Sequence, residues 1–128
     1  MLAQRNPLEA YRRVDFDARV SVADPQELVS LCYEQFIIAL GSSLVAHERS
    51  DNRLKSESLT RALSSLTALQ LGLSGNDGVA LALAQFYEAA RRAVLDSALN
   101  FDAGIIAKIR EDFTDVAQSM GQQAALNS

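Results

Sequence analysis

The stretch Asp24-Pro25-Gln26-Glu27-Leu28-Val29-Ser30-Leu31-Cys32-Tyr33-Glu34 decides the fold class of this 128-residue chain. Aspartate is a favoured residue just before a helix, and proline suits the first helical position. A glutamate three residues after the cap completes the signature of a helix start. The apolar residues that follow reach Leu44 and Val45 and occupy more than one side of the predicted helix. We therefore expect a long helix over about residues 24–48 that other elements cover from several sides.

Three further helices follow, over about residues 53–73, 77–99 and 102–120. In each of them apolar residues recur at the spacing of a helix-bundle seam. These residues are Leu59, Leu63, Leu66 and Leu73, then Leu83, Tyr87, Ala90 and Val94, then Ile105 or Ile106, Ile109, Phe113, Val116 and Met120. Gly121 is expected to end the last helix.

Short connections between long helices favour antiparallel neighbours. The sequence therefore predicts an all-α fold, an antiparallel up-down-up-down four-helix bundle over residues 24–121. Residues 122–128 read as a disordered tail, since chain ends without apolar periodicity are poorly ordered.

Residues 1–23 differ from the rest and form an N-terminal arm. Leu8, Tyr11 and Val14 recur at a spacing of three, which predicts about one helical turn. From Val14 to Val22 apolar and polar residues then alternate, which predicts an extended segment. Two interpretations stay open: the arm packs permanently and completes the core, or arm and partner compete for one groove.

Composition and charge exclude several classes of function. The formal net charge is −4, and the densest basic spots are Arg12-Arg13 and Arg91-Arg92, so nucleic-acid binding is disfavoured. The N-terminus lacks the pattern of a signal peptide, and the longest strongly apolar stretch falls short of the roughly 20 residues that span a bilayer. We expect a cytoplasmic protein that does not insert into membranes.

The residues that carry most enzyme chemistry are scarce. The chain has one histidine, His47, expected to be solvated or to cap a helix end, and one cysteine, Cys32, expected to be buried and unreactive. One histidine and one cysteine cannot supply a zinc site of known spacing, and one histidine cannot supply a di-iron bundle site. Glu111, Asp112 and Asp115 read as a solvated helix face. The sequence therefore predicts a binding protein without catalytic residues, metal or cofactor.

The stretch from Val20 to Glu34, with Tyr11 before it, resembles the flagellin export chaperone family, the flagellar secretion chaperone FliS. That family shows an N-terminal tyrosine, a small-residue and proline helix start, and a Leu-Val…Leu-Tyr run. Phe86-Tyr87-Glu88 is similar to the family's motif on its third helix, and Phe113 stands where the family often has tryptophan. The resemblance extends from about Asn6 to Met120.

The resemblance implies a four-helix bundle that binds the disordered C-terminal segment of flagellin in the cytoplasm. It also implies that the chaperone prevents premature polymerisation and delivers flagellin to the flagellar type III export gate. The resemblance assigns Tyr11 to docking at that gate. It also implies a groove that binds the client, and an arm that caps this groove until the client binds. The cap residues are Val14, Phe16, Val20 and Val22, and the partner-binding residues are Leu28, Leu31, Tyr33 and Tyr87.

The alternative is a non-catalytic helical adaptor or regulatory bundle that binds another protein or itself. Apolar residues on the first long helix exceed what one bundle seam requires, and they would supply the binding surface. Whether the free protein forms a weak homodimer stays open.

Overall fold

The computed structural model describes residues 7–22 and 24–126, with side chains described for residues 10–20 and 24–122. These residues form five helices and no strand, so the predicted all-α class is confirmed. The helices are α1 (Pro7–Val22), α2 (Pro25–Glu48), α3 (Asn52–Gly72), α4 (Gly78–Leu99) and α5 (Ala103–Leu126).

Aspartate side chains cap the four longer helices. The carboxylates of Asp24, Asp51, Asp77 and Asp102 each accept a hydrogen bond from the backbone amide three residues later, at 2.8, 3.0, 2.8 and 3.1 Å. Each bond satisfies one of the amides that a helix start leaves without an intrahelical partner. The cap predicted at Asp24 is confirmed. Asp77 and Asp102, where the sequence predicted the third and fourth long helices to begin, are the capping residues of α4 and α5.

The four longer helices contact one another in cyclic order. α2 packs against α3 and α5, and α4 packs against the same two helices. This order is the one expected when consecutive helices joined by short connections fold back on each other. Their shared interior holds the core residues Tyr33, Phe36, Ala39, Leu40, Leu59, Ala62, Leu66, Leu69, Tyr87, Ala90, Val94, Ile106 and Phe113.

The residues predicted for the seams lie in or beside this core. Leu66, Val94 and Phe113 are fully buried. Of the two isoleucines proposed for the seam at the start of α5, Ile106 is buried in the core, whereas Ile105 is 46% exposed. The helical period therefore placed the inward face of each long helix correctly.

The arm is the main correction to the predicted fold. Residues 14–22 lie within the 16-residue helix α1 and are not extended. The alternation was misleading because residues 14, 18 and 22 are four apart, and so are 16 and 20. On a helix, residues four apart share a face, so the same alternation gives a helix with apolar residues on two faces.

The C-terminal boundary is also corrected. α5 continues through Gly121 to Leu126, so the disordered tail predicted for residues 122–128 is wrong over residues 122–126. Residues 127 and 128 lie outside the described residues.

Among the described glycines only Gly75, in the α3–α4 connection, has the positive φ, +97°, that a glycine turn requires. Gly121 does not end α5, because the Gln and Ala residues that follow it favour helix.

α2 is long and apolar enough, by length and composition, to cross a membrane, with a mean hydropathy of 1.6 over 18 residues. The expectation that no stretch reaches this length is therefore wrong. Core helices meet the same criterion, and in this fold Tyr33, Phe36 and Leu40 of α2 are fully buried in the interior shared with the other helices.

Candidate partner-binding surface

α1 has two apolar faces with different environments. Phe16 and Val20, four residues apart, are partly buried. Tyr11 and Val14 lie on another side of the helix and are 76% and 69% exposed. Tyr11 and Val14 therefore cap no groove in this conformation, and of the predicted cap residues only Phe16 and Val20 are partly covered. The side chain of Val22 lies outside the described residues.

A charged contact joins α1 to α2. Arg19 Nη1 donates a hydrogen bond to Glu34 Oε2 at 2.7 Å, and Asp15 Oδ2, one turn earlier on α1, lies 3.8 Å from the same nitrogen. The hydrogen bond to Glu34 raises the pKa of Arg19 above its ordinary value, so the guanidinium stays charged. Both partners are partly exposed to solvent, so salt screens their attraction.

The Arg19 side chain lies over a shallow crevice on α2. Glu27, Ser30, Leu31 and Glu34 form the rest of its lining. Leu31 is buried at the base, with 6% of its surface exposed, and Leu28 nearby in sequence is partly buried. Two of the predicted partner-binding residues therefore lie at the N-terminal half of α2, where the arm approaches it.

The crevice belongs to a longer strip that we call the outer face of α2. It is formed by residues at helical spacing: Glu27, Ser30, Glu34, Ile38, Gly41 and Val45. Of these six residues, only Glu27, Ser30 and Glu34 line the crevice beside Arg19, and Glu34 also forms the ion pair with Arg19. Ile38 and Val45 stay 40% and 42% exposed. The half of the outer face next to α1 is therefore polar, and the other half, which we call the open half, has exposed apolar residues.

Arg110 of α5 borders the open half of this face. Its Nε donates to the backbone carbonyl of Ile37 at 3.3 Å. The guanidinium lies so close to Gly41 that a Cβ there would come within 3.1 Å of Nε. The absence of a side chain at Gly41 leaves room for the Arg110 guanidinium against α2.

Tyr33 and Tyr87, predicted as partner-binding residues, lie inside the core. Their hydroxyl oxygens are 2.9 Å apart, and 0% and 3% of their surfaces are exposed. Burial raises the pKa of Tyr33 and of Tyr87, so both phenols stay neutral. Direct contact with a partner at these residues would require the core to open.

Phe113 stands at the centre of the aromatic core. Its ring centroid lies 4.4 Å from those of Phe36 and Phe86, 5.4 Å from Tyr33 and 6.2 Å from Tyr87. Rings from α2, α4 and α5 thus meet at one side chain. Tyr87 and Phe113, both predicted for the bundle seams, lie in this core.

The histidine and cysteine occupy positions that suit structural roles. The His47 ring stacks on Phe101 with centroids 4.4 Å apart, and its Nδ1 lies 3.3 Å from Lys55 Nζ. Cys32 is partly buried, and burial raises the pKa of its thiol. A raised pKa lowers the thiolate fraction, which is the reactive form.

Sequence reasoning missed the charged contact and the open strip. Arg19 and Glu34 are fifteen residues apart and lie on different helices, so no local spacing rule connects them. Ile38 and Val45 did carry a signal, because they are seven residues apart on a helix with more apolar residues than its seams need.

The family model of the flagellar protein FliS matches residues 7–124, which include most or all of every helix. The chain belongs to the FliS family. The resemblance seen in the Asp24–Glu34 stretch is thereby confirmed. A comparison with curated proteins gives no match.

FliS-family proteins are flagellar chaperones, so a role in flagellar assembly as a chaperone follows from membership. The family is not known for enzymatic activity. Its members are soluble proteins, which agrees with α2 being a core helix and not a membrane span.

Proposed function

We propose that this chain binds the disordered C-terminal segment of flagellin in the cytoplasm, prevents its premature polymerisation and delivers it to the flagellar type III export gate. Membership in the FliS family over residues 7–124 is the observation that carries the proposal. The structure adds a surface suited to this task, because Ile38 and Val45 expose apolar area along a rigid helix. An amphipathic segment that folds on binding commonly docks on such a strip.

α1 is proposed to yield to the client. Among the described residues it has no extensive backbone contact with the other helices. Phe16 and Val20 are only partly buried, and Arg19 supplies a charged contact that solvent reaches. Elements with few buried apolar contacts open at low free energy. A client that spreads along the outer face of α2 would therefore displace α1 while the four longer helices stay folded.

Moderate affinity suits a chaperone that must release its client. A disordered segment loses conformational entropy when it orders on the surface, which offsets part of the free energy gained from burial. Release at the export gate then requires no chemical step. Tyr11, which is 76% exposed, is proposed to contact the export gate.

The test is co-purification of the full chain with flagellin and with flagellin that lacks its C-terminal segment. We expect a soluble complex with the first and none with the second, and a shift of flagellin from polymer to soluble fractions. No complex with intact flagellin or with its isolated C-terminal segment would remove the proposal. A stable self-associated form that ignores flagellin would favour the adaptor alternative.

A further inference from the structure

Glu34 marks the boundary between the half of the outer face of α2 that lies next to α1 and its open half. On one side of it the crevice beneath Arg19 contains Glu27 and Ser30, and on the other side the apolar residue Ile38 is exposed. The guanidinium of Arg19 bonds the Glu34 carboxylate at 2.7 Å at this boundary. A segment that extends from the open half towards the start of α2 meets this ion pair first.

Among the side chains described on α1, residues 10–20, the apolar attachment is small, so even a weak ion pair affects how firmly this helix is held. Of the apolar side chains described on α1, Phe16 and Val20 are partly buried, whereas Tyr11 and Val14 face solvent. Asp15 lies 3.8 Å from the same Arg19 nitrogen that bonds Glu34, and so helps to hold the guanidinium in place. An ion pair in solvent is weak, and salt weakens it further.

We propose that Arg19 and Glu34 form an electrostatic latch that holds α1 on the N-terminal half of the outer face and sets how often that half is open. The latch is a property of the free chain, and only its effect on client binding rests on the proposed function. A client that binds the open state has an apparent dissociation constant raised by the rarity of that state. Weakening the latch therefore strengthens client binding.

Glu34→Gln tests the latch in the free chain, because it removes the carboxylate and leaves the sequence of α1 intact. The readout is amide hydrogen exchange in residues 10–20 of the full chain. Exchange should rise about two- to fivefold in Glu34→Gln, the range expected for loss of one exposed ion pair. Raising NaCl from about 50 mM to about 500 mM should give a similar increase in the wild-type chain and almost none in the variant.

Glu57→Gln is the matched control, because it removes the carboxylate from another exposed pair, Arg53–Glu57 at 3.1 Å within α3. It should leave exchange in α1 and its salt response unchanged. The latch would be refuted by wild-type exchange in Glu34→Gln, or by an equal increase in both variants.

Arg19→Gln tests the effect on the client, because Arg19 leaves the surface with α1, whereas Glu34 stays where the client would bind. The isolated C-terminal segment of flagellin should bind this variant about two- to fivefold more tightly than the wild type. Equal or weaker binding would refute the regulatory effect. If the segment binds neither protein, the proposed function fails, while the exchange experiment still decides whether the latch exists.

Discussion

α1 and the four-helix ring differ in what holds them. α2, α3, α4 and α5 contact each other in a closed cycle around fully buried side chains such as Phe36 and Phe113. Within residues 10–20, the part of α1 whose side chains are described, two apolar side chains are partly buried and one ion pair to α2 is reached by solvent. Both regions are regular helix, so secondary structure alone does not reveal the difference. Because local stability follows the number of buried apolar contacts, we expect α1 to detach at a lower free energy than any of the four longer helices.

The largest expected effect contrasts one phenylalanine from each region. Phe113→Ala should destabilise the protein by about 3–5 kcal/mol, since it removes a fully buried ring and leaves a cavity. Phe16→Ala should cost less than about 1 kcal/mol, no more than removal of all of α1, because its ring is only partly buried. Urea unfolding followed by circular dichroism measures both. Comparable losses for the two variants would show that α1 is part of the core.

The hydroxyl pair in the core gives the next effect. Tyr33→Phe leaves the buried Tyr87 hydroxyl without its 2.9 Å partner and should cost about 1–3 kcal/mol. Tyr87→Phe should behave alike, and the double variant should cost clearly less than the two losses added together, since no unpaired hydroxyl remains. Strictly additive losses in urea unfolding would show that the two hydroxyls do not stabilise each other.

The smallest expected effect on stability comes from removing the arm. Deletion of residues 1–23 should change the free energy of unfolding by less than about 1 kcal/mol, since the described side chains of α1, residues 10–20, bury little apolar surface. Helix content should fall only by the share of α1, and binding of a hydrophobic dye should increase as the buried Leu31 and the partly buried Leu28 become accessible. Outright unfolding of the truncated chain would mean that the arm completes the core.

The long helices could be predicted because their signals are local. Asp24 and Pro25 mark the start of α2 through neighbouring residues, and Phe113 follows the helical period of α5. The helical state of α1 could not be decided, because apolar residues at 14, 16, 18, 20 and 22 satisfy both a strand and a two-faced helix. Only the tertiary environment distinguishes these two possibilities.

The candidate site was predicted less completely than the fold. Of the residues predicted to bind a partner, Leu31 lines the crevice beside Arg19, whereas Tyr33 lies in the core, because spacing cannot tell a buried helix face from a groove. The Arg19–Glu34 contact depends on how two helices are placed in space, and sequence spacing carries no information on that placement.

The most direct test of the central claim is hydrogen exchange of the full chain with and without the C-terminal segment of flagellin. If α1 is a detachable helix on an independently stable core, binding should speed exchange in residues 10–20 and slow it along α2, including Ile38 and Val45. Exchange in α1 that stays unchanged or slows when the segment binds would contradict displacement and would make α1 a permanent part of the binding surface.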